Sequence, residues 1–141
     1  MKGGIYMGLN WDITLATGIG SIDNQHKELF SRINLLLAAM KEGKGKEEVF
    51  KTLDFLEGYV IKHFNEEEEI QKINSYPKYD IQHKQHEEFK GELKDLRKVF
   101  EDNGSSGSFV ISLQQKMSNW WKSHIKDLDK DLGKFLIESH K

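Results

Sequence analysis

The chain has no cysteine, so disulfides, thiolate metal sites, thioether haem attachment and cysteine nucleophiles are all excluded. It has a single proline, Pro77, and therefore few obligatory breaks in helix. No apolar run approaches the roughly 18 residues needed to span a bilayer, and the N-terminus lacks a charged-then-apolar secretory pattern. The formal net charge over 141 residues is only −2, with both signs interspersed. That leaves no basic field for nucleic acid and no polybasic patch for a membrane surface. The expectation is a soluble, cytoplasmic, single-domain protein with neither nucleic-acid nor membrane partner. Any metal it holds must rest on His, Asp and Glu, ligands that suit iron, zinc, copper or manganese.

What the chain does have is helical periodicity. Strand-like alternation is weak throughout. Gly43-Lys44-Gly45, Asn74-Ser75-Tyr76-Pro77 and Asn103-Gly104-Ser105-Ser106-Gly107 are breaks. They divide residues 21–128 into four segments of roughly 20 to 28 residues. Ser21 or Asp23 can cap the first segment and Ser108 the last. Residues 1–20 form an N-terminal arm carrying Trp11, and residues 129–141 a short C-terminal helix and tail.

Each segment carries an apolar stripe at spacings of three and four. The stripes run Ile22, His26, Leu29, Ile33, Leu36, Met40; then Val49, Leu53, Leu56, Val60, His63, Glu67, Ile70. They continue with Tyr79, Gln82, His86, Phe89, Leu93, Leu96, Phe100; and Val110, Leu113, Met117, Trp120, His124. Short connections make neighbouring helices antiparallel, which predicts an all-α, up-down-up-down four-helix bundle.

Polar side chains interrupt every stripe, and their positions along the helices alternate. His26 and the pair Gln82 and His86 lie near helix starts; His63, Glu67 and His124 lie near helix ends. In an antiparallel bundle those termini share one pole. At about 1.5 Å rise per residue, the polar positions fall within two or three turns of it. One imidazole on an apolar stripe is most often a satisfied core residue. Four of them, with a carboxylate one turn from His63, require either a private hydrogen-bond network or cations, because burying such groups unpaired costs several kcal/mol each, roughly. Too many ligands converge for one four-coordinate zinc; two metals account for the count better.

At these residues the chain resembles the hemerythrins, in particular their bacterial single-domain members. The marks are Gly18-Ile19-Gly20-Ser21-Ile22-Asp23-Asn24-Gln25-His26-Lys27-Glu28-Leu29-Phe30, then His63-Phe64 with Glu67 and Glu68, then Tyr76-Pro77 and His86-Glu87-Glu88-Phe89. Trp120-Trp121-Lys122-Ser123-His124-Ile125 with Asp129 completes the set. The resemblance implies a non-haem di-iron centre, carboxylate- and oxo- or hydroxo-bridged, that binds molecular oxygen for transport, storage or sensing, without being an enzyme. It implies that His26 and His63 hold the iron whose open position takes oxygen, that His86 and His124 hold the second, and that Glu67 and Asp129 bridge both. Periodicity alone does not select Asp129, which sits about 140° from His124 on an ideal helix. Asp127, Asp131 and His140 read as solvated. Phe30, Phe64, Phe89 and Trp120 are candidates for a dry wall around the site.

One position departs from the family pattern. The second iron usually has a third His four residues before the one matched by His86; here that residue is Gln82, with His83 beside it. His83 after a small twist, the Gln82 amide oxygen, or water could complete the site, and imidazole is the better ligand for iron. A site short of one His favours an alternative reading, a di-iron enzyme with peroxide or nitric oxide reactivity. The carboxylate oxidases of the ferritin type need Glu three residues before a His on two helices, and no His here has one.

Overall fold

The computed structural model describes residues 8–104 and 106–140. A 3-10 turn, Ile13–Leu15, precedes four long helices: α1 Gly20–Lys41, α2 Lys46–Ile73, α3 Tyr79–Asn103 and α4 Gly107–His124. A π turn, Ile125–Asp129, then runs without a break into α5, Lys130–Ser139. The helices pack as the antiparallel four-helix bundle that the stripes predict. Among the described residues, no helix is long and apolar enough to cross a membrane.

The caps differ in detail from expectation. α1 starts at Gly20 without a side-chain cap. Asp23, in its first turn, instead accepts from the backbone N–H and the hydroxyl of Thr17, both at 2.8 Å, and so ties the arm to the helix. α4 is capped by Ser106, whose hydroxyl accepts from Phe109 N–H at 3.1 Å, rather than by Ser108. The arm is pinned a second time where Asn34 bonds both the N–H and the C=O of Leu9, at 2.7 and 3.0 Å. Residues 1–7 of the expected arm, Ser105 of the last loop and Lys141 of the tail lie outside the described residues.

The stripes of α1, α2 and α3 bury as read, except that Ile70 and Tyr79 are only half-buried. α4 is turned slightly: Trp121 is fully buried, while Trp120 and Leu113 lie at the edge of the core. The reason is the register carried by Met117, Trp121 and His124, which keeps the three on one face.

Two apolar clusters bracket the polar pole. The main core fills the bundle from Leu9 and Leu29 through Phe64 and Phe89 to Trp121. A smaller cluster of Ile22, Tyr76, Leu132 and Leu136 forms where α5 packs back on the bundle end. α5 reaches the arm through Gly133, where a Cβ would stand 2.1 Å from the Thr17 carbonyl oxygen. Only glycine allows that approach.

Candidate metal centre

Between the two clusters lie His26, His63, Glu67, Gln82, His86, His124 and Asp129, all essentially inaccessible to solvent. α1 supplies His26, α2 His63 and Glu67, α3 Gln82 and His86, and α4 with its π turn His124 and Asp129.

The π turn explains Asp129. A regular α-helix would carry the fifth residue after His124 away from the core, but the wider i→i+5 turn over Ile125–Asp129 brings it back over His124. The two Asp129 oxygens reach different helices: Oδ2 lies 3.0 Å from His26 Nε2, and Oδ1 3.2 Å from His124 Nε2. Glu67 spans the other diagonal, with Oε1 3.2 Å from His86 Nε2 and Oε2 3.7 Å from His63 Nε2. Ligand atoms of His26, His63 and Glu67 cluster within 4.8 Å of one another, as do those of Glu67, His86 and His124. Glu67 therefore belongs to two triads, and Asp129 touches a histidine of each.

The imidazoles are oriented from behind. Gln25 donates from Nε2 to Glu66 at 3.3 Å, so its Oε1 faces His63 Nδ1 at 2.6 Å. That oxygen can only accept, which places the His63 proton on Nδ1 and the lone pair on the inward Nε2. Gln85 Oε1 meets His124 Nδ1 at 2.8 Å in the same way. Glu68 Oε2 meets His86 Nδ1 at 2.7 Å. The arrangement has approximate twofold regularity: Gln25 and Gln85, each just before a pocket histidine, orient the histidine of the next helix. The repeated Gln-His dipeptide was the sequence signal for this, and it is not visible from the stripes.

Burial sets the charge states. It holds His63 well below its ordinary range, reinforced by His26, and it lowers His86. It pushes Glu67 well above the carboxylate range, with the Asp129 charge adding to the effect. For Asp129 the same burial is outweighed by His124 and His26, and its carboxyl sits well below the usual value. Burial is outweighed at Glu68 too, by hydrogen bonds to His86 and His83, which keep it ionised.

The donor set fits a pair of cations. The Nε2 atoms of His26, His63, His86 and His124, both oxygens of Glu67, Oδ2 of Asp129 and Oε1 of Gln82 are buried without a hydrogen-bond partner among the described residues. Neutral imidazole, carboxylate and amide oxygens left unpaired in a protein interior are costly. They are also the donors that borderline and hard divalent metals take.

His83 stands apart from both triads. α3 takes no twist there, so His83 points out of the bundle: its side chain is 47% exposed, its Nδ1 is 2.9 Å from Glu68 Oε1, and its ring stacks on Tyr79. Gln82 takes the inward position and donates from Nε2 to Asp129 Oδ1 at 3.0 Å. Asp131 is also more than a solvated acid. It is half-buried and accepts from the Tyr76 hydroxyl at 2.6 Å, which draws its carboxyl below the usual value. Asp127 and His140 are exposed. Of the expected wall, Phe64 stacks on His86 at 3.9 Å and Trp120 on His124 at 4.7 Å, and Phe89 packs on Trp120 at 4.8 Å. Phe30 is buried in the main core. Trp121, which the fourth stripe omitted, joins the wall.

Residues 17–136 match the family model described as the hemerythrin HHE cation binding domain. The chain belongs to the hemerythrin family. It is 31% identical to the bacteriohemerythrin of Methylococcus capsulatus over 122 residues, covering 83% of this chain and 87% of that one. It is 25% identical to the myohemerythrin of Sipunculus nudus, covering 84% and 86%. The crystal structure of a wild-type hemerythrin superposes with a TM-score of 0.79 at 28% identity, covering 91% of this chain and 97% of that one. The hemerythrin fold and the buried double triad are thus found together in this chain.

Proposed function

We propose that this chain is an oxygen-binding protein that holds two non-haem iron ions and carries, stores or senses oxygen without turning it over. The observation that supports this most is the pair of buried triads sharing Glu67. In this reading His26 and His63 hold one ion, and His86 and His124 hold the other. Glu67 and Asp129, each within reach of both histidine pairs, would be shared between them. Gln82 stands at the second ion where an imidazole would otherwise be, and His83 takes no part.

Held by these residues, two ferrous ions would supply the two electrons that reversible oxygen binding requires. The chain does the rest. Gln25, Gln85 and Glu68 hold Nδ1 protons outward, so that Nε2 lone pairs face the centre without rotating. Asp129 enters already ionised, and Glu67 gives up its proton as the cations arrive. Phe64, Phe89, Trp120 and Trp121 exclude water from one side and the Tyr76–Leu132 cluster from the other, which restrains irreversible oxidation.

The test is oxygen uptake by protein reconstituted anaerobically with ferrous iron. One oxygen taken up per chain and released under vacuum supports carriage. Rapid oxidation with turnover of added peroxide supports the enzymatic alternative, for which the missing third imidazole at Gln82 is the structural argument.

A further inference from the structure

The indole N–H of Trp121 is a buried donor with no acceptor. The residue is fully buried, and its Nε1 has no hydrogen-bond partner among the described residues. Buried indoles normally find one, and leaving a donor unpaired costs about 1–3 kcal/mol. The rings around it are those of Phe64, Phe89, Trp120 and three pocket histidines: His26 at 6.2 Å, His63 at 6.3 Å and His124 at 5.9 Å between centroids. The Nδ1 atoms of His63 and His124 are engaged by Gln25 and Gln85. The packed wall thus leaves the N–H unanswered.

The two sides of the site are unequal. Gln82 bonds Asp129 through Oδ1, the oxygen that faces His124, whereas His26 and His63 face only the carboxylates of Asp129 and Glu67. With metal bound, the side poorer in protein donors would have a coordination position to offer an outside ligand, and Trp121 packs against both of its histidines. On the di-iron reading above, we infer that Trp121 is a ligand-binding residue: its N–H donates to the free end of a small ligand seated beside His26 and His63. The ligand class is a diatomic or linear triatomic molecule with a lone pair on its outer atom. Dioxygen fits, and azide is a convenient probe. The role discriminates among ligands, because a molecule with no acceptor at its free end leaves the indole unpaired and gains nothing from it.

The experiment compares the iron-loaded, oxidised chain with Trp121→Phe, which keeps an aromatic ring and removes the N–H. Iron per chain is measured first, then azide affinity by absorbance titration. The expected result is two irons in both proteins and azide binding at least about tenfold weaker in the variant, the scale of one hydrogen bond to a charged group. Equal iron and azide affinity within twofold overturns the role of Trp121 and leaves the di-iron reading standing. Fewer than two irons in the unaltered chain overturns both. A second measurement needs no variant. In 15N-labelled protein the slowest-exchanging indole N–H signal is expected to shift on adding azide, and an unmoved signal at saturating azide contradicts the inference.

Discussion

Gln82 donates a hydrogen bond from Nε2 to Asp129 Oδ1 at 3.0 Å, joining α3 to the end of the π turn through two side chains with no solvent exposure. Its Oε1 is buried without a hydrogen-bond partner among the described residues. The amide therefore both steadies the Asp129 carboxylate and offers an oxygen. Gln82→Leu is expected to loosen the second ion by roughly tenfold or more, the usual cost of losing such support, as read by competition with a chromogenic chelator. Gln82→His is expected to tighten it. Equal affinities in all three proteins would remove Gln82 from the site.

The π turn makes a sharper demand on the backbone. Inserting one alanine after the exposed Lys126 makes Asp129 the sixth residue after His124 and carries it about 100° further around the axis. Metal content is expected to fall from two ions per chain to one or none, while far-ultraviolet circular dichroism stays helical. Full metal content in the insertion variant would mean that Asp129 is dispensable.

Glu67 gives the pH dependence a definite sign. Its folded-state pKa is raised above the ordinary value of 4.5, so the metal-free fold holds a proton that the unfolded chain releases. That contribution to stability is complete below about pH 4.5 and is lost as pH rises through the folded value. Relative to the unaltered chain, metal-free Glu67→Gln is therefore expected to gain stability as pH rises above 4.5, measured by urea unfolding. Cations reverse the preference, since they need the carboxylate, and Glu67→Gln is expected to lose them. Calorimetric titration with metal in buffers of different ionisation enthalpy should register proton release on loading.

Gly133→Ala tests the contact between α5 and the arm rather than the ligands. The new methyl would meet the Thr17 carbonyl oxygen at 2.1 Å, so the arm or α5 must move. Overpacking of this kind costs about 1–3 kcal/mol, and the thermal midpoint is expected to drop by several degrees. An unchanged midpoint would mean that arm and helix are not held together.

The bundle was legible because its apolar positions repeat with the helical period. His26, His63, Glu67 and His86 were legible as polar interruptions of those stripes. Asp129 was not, since its place depends on a π turn that no residue type announces; only the family resemblance pointed to it. The choice between Gln82 and His83 is one of register, which α3 keeps by burying Gln82, and the ligand chemistry of imidazole does not reveal it. The orienting roles of Gln25, Gln85 and Glu68 are contacts between helices, which a single-helix stripe does not contain. Trp121 was passed over for Trp120 because the two are adjacent and a one-residue shift in stripe phase exchanges them.

The most direct measurement is anomalous diffraction at the iron edge from crystals of the iron-loaded protein. Two peaks per chain are predicted, one beside His26 and His63 and the other beside His86 and His124, with Glu67 between them. A single peak, or two peaks away from these side chains, would contradict the account.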